Sequence, residues 1–275
     1  MHIIQPHYHA IARTAQDYER MAYSGVVAVG EPAFWAGFDR LYPETFLDYF
    51  RQISEFEPTR AAQYGIRHFC WVAVNPKEAE NPELSRAVID RMPEFFQKPT
   101  VLGVGETGLH LSTKNECDIM EEQVDLAIRY NQLLLVHTPH LKDKLRGTRK
   151  IIEILAGMPV NPDLVWIDHV EEHTIERVKE AGYWLGFTLY PITKCSPKRA
   201  VDMLEKYGFE RTLVNSSADW GPSDPFLLQE CILDFRSRGH TEQEAVEIFH
   251  NNPARYLGQN PKFDIRPIRV EAIDR

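Results

Sequence analysis

Residues 3–12 read Ile3-Ile4-Gln5-Pro6-His7-Tyr8-His9-Ala10-Ile11-Ala12, and the choice of fold turns on them. The apolar start reads as a strand. The turn that follows lacks the G-x-G-x-x-G that a dinucleotide-binding half of a doubly wound sheet carries at this position. Two histidines at spacing two face one way only on extended backbone, because strand side chains alternate faces. This first turn therefore sets two imidazoles, rather than a phosphate cradle, at the end of a strand.

The same unit recurs along the 275 residues. Further β-rich runs are Gly25 to Gly30, Arg67 to Val74, Val101 to Glu106, Leu133 to His137, Leu164 to His169, Trp184 to Leu189 and Thr212 to Ser216; with Ile3 to His7 they make eight. Segments of helical periodicity lie between them, such as Cys117 to Tyr130, where Met120, Val124, Ala127 and Ile128 recur, and Ala200 to Tyr207. Such alternation implies parallel strands with helical crossovers outside, and eight units close most naturally into a single (β/α)8 TIM barrel. No repeat or Gly/Ser linker divides the chain, so residues 1–258 are expected to form one domain. Residues 259–275, with Pro261, Phe263, Ile265, Pro267, Ile268 and Val270, are expected to form an extended C-terminal tail, as a strap or as a contact within a homo-oligomer. The stretch Glu31 to Tyr64 is long for one connection and helix; its Phe34, Trp35, Phe38 and Tyr42 suit either a lid or two helices packed on the barrel wall.

Composition limits the function. The charge of −9 disfavours a protein that grips nucleic acid by nonspecific phosphate contacts. Neither a signal-peptide pattern nor an apolar run of roughly 18 residues is visible, so a cytoplasmic protein without membrane attachment is expected. Cys70, Cys117, Cys195 and Cys231 show no C-x-x-C pairing and read as reduced, buried thiols.

Barrel enzymes build their sites at the C-terminal strand ends. Here those ends carry His7-Tyr8-His9, Gly105-Glu106-Thr107-Gly108, Val136-His137-Thr138-Pro139, Asp168-His169 and, after the eighth strand, Asp219 in Ser216-Ser217-Ala218-Asp219-Trp220-Gly221. One histidine after a strand is usually structural. Together these ionisable groups would cost several kcal/mol in a dry barrel mouth unless compensated, and a metal is the usual compensation. Imidazole and carboxylate donors without thiolate suit zinc, manganese, iron or nickel. Six candidates exceed the three protein ligands of a one-zinc catalytic site, so two divalent ions about 3.5–4 Å apart use them best, with Glu106 as the better bridging carboxylate.

As an ordered set, His7-x-His9, Gly105-Glu106-Thr107-Gly108-Leu109, Val136-His137-Thr138, Asp168-His169 and the late Asp219 resemble the TatD-type metal-dependent hydrolases of the amidohydrolase superfamily, from His7 to the closing Asn252-Pro253-Ala254-Arg255-Tyr256-Leu257. The resemblance implies that His7, His9 and Asp219 hold one ion, that His137 and His169 hold the second, and that Glu106 bridges them. It also implies hydrolysis, including phosphodiester cleavage in nucleic acid by some members. The chain departs from the family at Gln5, where an acidic residue is usual, at Gly108-Leu109-His110 in place of Gly-Leu-Asp, and at Ala-Asp-Trp-Gly in place of Thr-Asp-x-Pro.

Such a centre makes hydroxide available near neutral pH for attack on a phosphoryl or carbonyl group, with Asp219 as the general base. Asp224 is the more natural cap for a helix from Pro225. Gln5 is expected to orient an imidazole, and His110 and His140 are candidates for substrate contact. His68 reads as a satisfied core histidine; His2, His173, His240 and His250 receive no role. The basic run Lys142 to Lys150 suits a rim that steers a small anionic substrate, nucleic acid being less favoured. The alternative to a hydrolase of a phosphoester, ester or amide is a catalytically weakened barrel that serves as a binding or scaffold protein in a biosynthetic pathway, with Gln5 marking the drift.

Overall fold

The computed structural model describes residues 1–140 and 143–268; Lys142 and Val270 lie outside the described residues. Eight parallel strands form one sheet in chain order, β1 (Ile3–Gln5), β2 (Val26–Pro32), β3 (Arg67–Val72), β4 (Val101–Gly108), β5 (Leu133–His137), β6 (Val165–Asp168), β7 (Trp184–Thr188) and β8 (Thr212–Asn215). The helices are α1 (Ala15–Tyr23), α2 (Pro43–Arg51), α3 (Glu57–Ala62), α4 (Pro82–Ile89), α5 (Lys114–Arg129), α6 (Lys144–Ala156), α7 (Ile175–Glu180), α8 (Pro197–Tyr207), α9 (Leu227–Ser237), α10 (Glu242–Val246) and α11 (Asn252–Leu257). This is the expected (β/α)8 architecture. No helix among the described residues is long and apolar enough to cross a membrane.

Several boundaries move for local reasons. Helix α5 begins three residues before Cys117, because the Thr113 side chain accepts the Glu116 N–H and supplies an earlier cap. Helix α8 likewise begins at Pro197, capped by Ser196, rather than at Ala200. Helix α9 begins at Leu227, not Pro225, although the Asp224 carboxylate does accept the Phe226 N–H at 2.8 Å. In the stretch after β2, α2 runs through a wider turn at Gln52–Phe56 into α3 and packs on the wall, with Phe46, Leu47 and Phe50 buried.

The barrel interior is a packed apolar plug. Trp71 and Trp166 meet edge to face at 6.3 Å and are fully buried; removing on the order of 200 Å² from water, each stabilises the fold by roughly 5 kcal/mol. The floor is closed by α11 and the tail. The Tyr256 hydroxyl donates to the carbonyls of Leu134 and Leu164, and Phe263 packs on Phe69 at 4.8 Å. Up to residue 268 the tail is thus a strap against the strand starts.

The seam between β8 and β1 is closed differently from the other seven contacts. Ser217 N–H donates to the His7 carbonyl at 2.9 Å, and His9 N–H to the Ala218 carbonyl at 3.0 Å. Below them the Gln5 side chain replaces a rung: its Oε1 accepts from Ser216 N–H at 3.1 Å and its Nε2 donates to Ser216 Oγ at 3.0 Å. Gln5 is therefore spent on the seam and bonds neither His7 nor His9, contrary to the orienting role expected for it. A carboxylate here could accept the Ser216 N–H but could not donate as the amide does. Gln5→Leu is expected to lower stability by about 1–3 kcal/mol, since it strands the buried Ser216 N–H; urea denaturation checks this, and an unchanged midpoint would mean the seam closes without it.

Candidate metal centre

Strand register brings the expected residues level. Gly108 pairs with His137 and His137 with Asp168 across β4, β5 and β6, while Thr188 pairs with Asn215 across β7 and β8. His7 and His9 follow β1 and Asp219 follows β8. His7, His9, Glu106, His137 and His169 are all buried at this C-terminal end.

Their donor atoms converge. Glu106 Oε1, His137 Nδ1 and His169 Nε2 are mutually 3.1 Å apart. His7 Nε2 lies 3.8 Å from Glu106 Oε1 and 3.0 Å from His9 Nε2. His7, Glu106 and His169 each offer a ligand atom within 4.8 Å of the others.

Asp168 sets which nitrogens face inward. Its Oδ2 accepts from His7 Nδ1 at 2.6 Å, which leaves His7 Nε2 with its lone pair toward the cluster. The Thr188 hydroxyl donates to Asp168 Oδ1 at 3.1 Å and accepts from His169 Nδ1 at 2.7 Å, so His169 Nε2 is left bare in the same way. Asn215 completes the carboxylate's bonding at 2.9 Å. Gly186 makes room, since a Cβ there would stand 2.0 Å from Asp168 Oδ1. The Lys144 ammonium, fully buried, donates to the His169 carbonyl at 2.6 Å and to Thr138 Oγ1 at 2.9 Å, and burial pushes its pKa down to about 7. Lys144 is therefore no rim cation, and steering by the basic run loses that residue.

Burial holds the His9, His137 and His169 imidazoles well below the ordinary histidine range; the next largest contributions are the neighbouring His7 for His9 and the Lys194 charge for the other two. They are neutral at neutral pH. Lone pairs and a carboxylate oxygen thus crowd one point, while His9 Nδ1 and His137 Nε2 are buried without a partner. Ligand atoms around a tetrahedral zinc stand about 3.3 Å apart, so donor types and spacings fit a divalent cation.

Asp219 lines the same recess but stands apart from this donor group. Its Oδ1 accepts from Gly221 N–H at 2.7 Å, Tyr190 hydroxyl at 3.2 Å and Ser223 Oγ at 3.3 Å. Burial and this carboxylate push the Tyr190 phenol up to about 12, so it is the donor. His140 lines the recess, its ring 5.0 Å from His137 and 5.7 Å from His169, whereas His110 lies 6.5 Å behind His140 and outside the lining. His68 bonds Glu31 at 2.7 Å, as a core histidine should, and Glu31 also accepts the Ile11 N–H.

Four further groups at the site carry no sequence signal of their own. Asp168 stands out in the sequence only as His169's neighbour. Asn75, which donates to Glu106 Oε2 at 3.2 Å, follows a strand end without imidazole or carboxylate. Lys77 and Lys194 sit beyond β3 and β7, two of the three strand ends that carry no candidate ligand in the sequence.

A family model described as TatD related DNase matches residues 57–230. The chain belongs to the TatD family. It is a metal-dependent hydrolase of the (β/α)8 kind. It is similar to an uncharacterized metal-dependent hydrolase of Methanocaldococcus jannaschii, 28% identical over 250 residues, covering 91% of this chain and 97% of that one. The crystal structure of a TatD-like protein from Archaeoglobus fulgidus superposes with a TM-score of 0.76 at 26% identity over 93% of this chain and 99% of that one. A phosphotriesterase homology protein from Escherichia coli, with phosphate in its active site, shares the fold at 13% identity and a TM-score of 0.68, covering 93% and 98%.

The TatD chain's imidazoles also imply a pH dependence. Histidines with lowered folded-state pKa values bind more protons when unfolded, so stability rises with pH toward the unfolded value near 6.5 and falls below it. The chelated protein should lose denaturation midpoint as pH drops from about 7 to about 5. A His137→Gln variant should flatten that slope, and an equal slope in both proteins would contradict the assignment.

Proposed function

We propose that the chain hydrolyses a small phosphoester, ester or amide at a centre of two divalent ions, zinc, manganese, iron or nickel, with His7, His9, Glu106, His137, His169 and Asp219 as their ligands. The observation that carries this reading is the 3.1 Å convergence of Glu106, His137 and His169 donors beside the His7 and His9 pair. Bound, the ions would polarise the scissile group and lower the pKa of water at the site.

The chain's own groups perform the rest. Glu106 presents Oε1 to His7 as well as to His137 and His169, the placement a bridging carboxylate needs, and Asn75 restrains Oε2. With Oδ1 of Asp219 engaged, Oδ2 is the oxygen left to touch an ion and to take the proton of an attacking water. Tyr190, Gly221 and Ser223 hold that carboxylate at the recess edge. Phe34, stacked on His9 at 3.8 Å, keeps bulk water from one side of the cluster. The family description names a DNase, which favours a nucleic-acid substrate as a second reading; the charge of −9 works against it.

Metal analysis of protein reconstituted with zinc or manganese should find about two ions per chain, and fewer than one would defeat the reading in favour of a binding or scaffold barrel. Asp219→Asn should retain the ions held by the other five ligands and lose about 10²–10⁴-fold in kcat. A screen over phosphodiesters, phosphomonoesters, lactones, amides and single-stranded DNA identifies the bond. Asp168→Asn should weaken metal binding by roughly 10–100-fold by releasing His7 and His169, which chelator competition measures.

A further inference from the structure

The recess over the donor cluster has walls of two kinds. One wall is aromatic. The His9 ring carries Phe34, Phe34 meets Trp220 at 4.6 Å, and Trp220 meets Trp35 at 6.2 Å. The recess is also cationic: Lys77 and Lys194 both line it. Their ammonium groups lie over aromatic faces, Lys77 at 4.6 Å from the Trp35 ring and Lys194 at 4.8 Å from the Tyr190 ring, and neither is ion-paired with a carboxylate among the described residues.

Among the described residues only Lys98 and Lys114 of the lysines bridge to a carboxylate, so what sets Lys77 and Lys194 apart is their place at the recess. Acidic residues outnumber basic ones by 40 to 31, and most arginines described here sit beside a carboxylate. Lys77 opposes the Lys194 charge and Lys194 opposes protonation of His137 and His169, although Glu106, Asp168 and Asp219 each favour the Lys194 charge more than Lys77 disfavours it. An anion seated between them relieves the repulsion and forms charge-assisted hydrogen bonds. Divalent ions in the cluster add to the same positive field. A neutral substrate would leave both ammonium groups with their aromatic faces and no anion in direct contact.

We propose that this recess selects its substrate by a terminal oxyanion group, a carboxylate or a phosphate, which Lys194 and Lys77 bind while the scissile bond lies over Glu106, His137 and His169. The inference rests on the hydrolytic reading above and adds to it a substrate class: a compact acid whose uncharged part lies along Phe34, Trp35 and Trp220. Lys194 and Lys77 are then binding residues that determine specificity, and the selectivity resides in the loops after β7 and β3 rather than in the basic run in the first turns of α6.

Two readouts on the metal-loaded full chain test this. The first is hydrolysis of paired 4-nitrophenyl esters, butyrate and the succinate half-ester, which share a leaving group and differ in a terminal carboxylate. The wild type should prefer the half-ester, and the ratio of kcat/KM values should fall about tenfold or more in Lys194→Met and by a smaller factor in Lys77→Met. Lys194→Arg should keep most of the preference, which separates loss of charge from loss of fold. The second is binding without turnover, with tryptophan fluorescence titrated by succinate and by inorganic phosphate. Lys194→Met should weaken the better of the two by about tenfold, and the tighter anion tells carboxylate from phosphate. Esters cleaved with equal preference in wild type and both methionine variants, or anions bound independently of both lysines, overturn the proposal. Anion binding that depends on Lys194 without hydrolysis of either ester would sustain it and defeat the catalytic reading instead.

Discussion

The contact on which the rest of this barrel mouth depends is the 2.6 Å hydrogen bond between His7 Nδ1 and the fully buried Asp168 carboxylate. Several imidazoles brought together out of water have no reason to present the same nitrogen. Asp168 gives them one, directly for His7 and through Thr188 for His169. Because a carboxylate accepts and does not donate, both rings turn their lone pairs toward Glu106. The cost of burying Asp168 is offset by three partners drawn from three strands or strand ends, and by the space left at Gly186.

Polar groups one layer away serve the same end. Gln5 closes the seam on which His7 and His9 stand, and Lys144 ties Thr138 to the carbonyl of His169, whose backbone adopts φ 60°. A histidine in the left-handed region stores of the order of 1 kcal/mol or more, and the Lys144 bond is one of the contacts that hold it there. Glu116 does similar work after β4, accepting the N–H groups of His110, Leu111 and Ser112. The recess is therefore shaped by buried side-chain to backbone bonds. The loops over it are free to carry the aromatic and cationic groups that meet a substrate.

The stretch after β2 divides at Pro43. Its first part brings Phe34 and Trp35 to the site wall, while its helices pack on the barrel with Phe46 and Phe50 buried. Phe38, Leu41 and Tyr42 are exposed around a separate recess with Ile11 and Arg40. The segment is neither a lid nor wall packing alone, because its aromatic residues are shared among three environments.

Much of this was legible from one-dimensional pattern. Strand alternation, eight repeats of it, and imidazole or carboxylate at five strand ends follow from local periodicity and residue type, so the barrel and the candidates His7, His9, Glu106, His137 and His169 could be read without coordinates. Gln5, Asp168, Lys144 and Lys194 could not be placed, because a polar residue's partner lies across the barrel, 211 positions away for Gln5 and Ser216 and 161 for His7 and Asp168. Sequence by itself determined which chemistry stands at the strand ends. Tertiary structure decided which nitrogen each ring presents, which carboxylate orients and which converges, and where the unpaired lysines face, since hydrogen bonds between distant strands are specified only once register has closed the barrel.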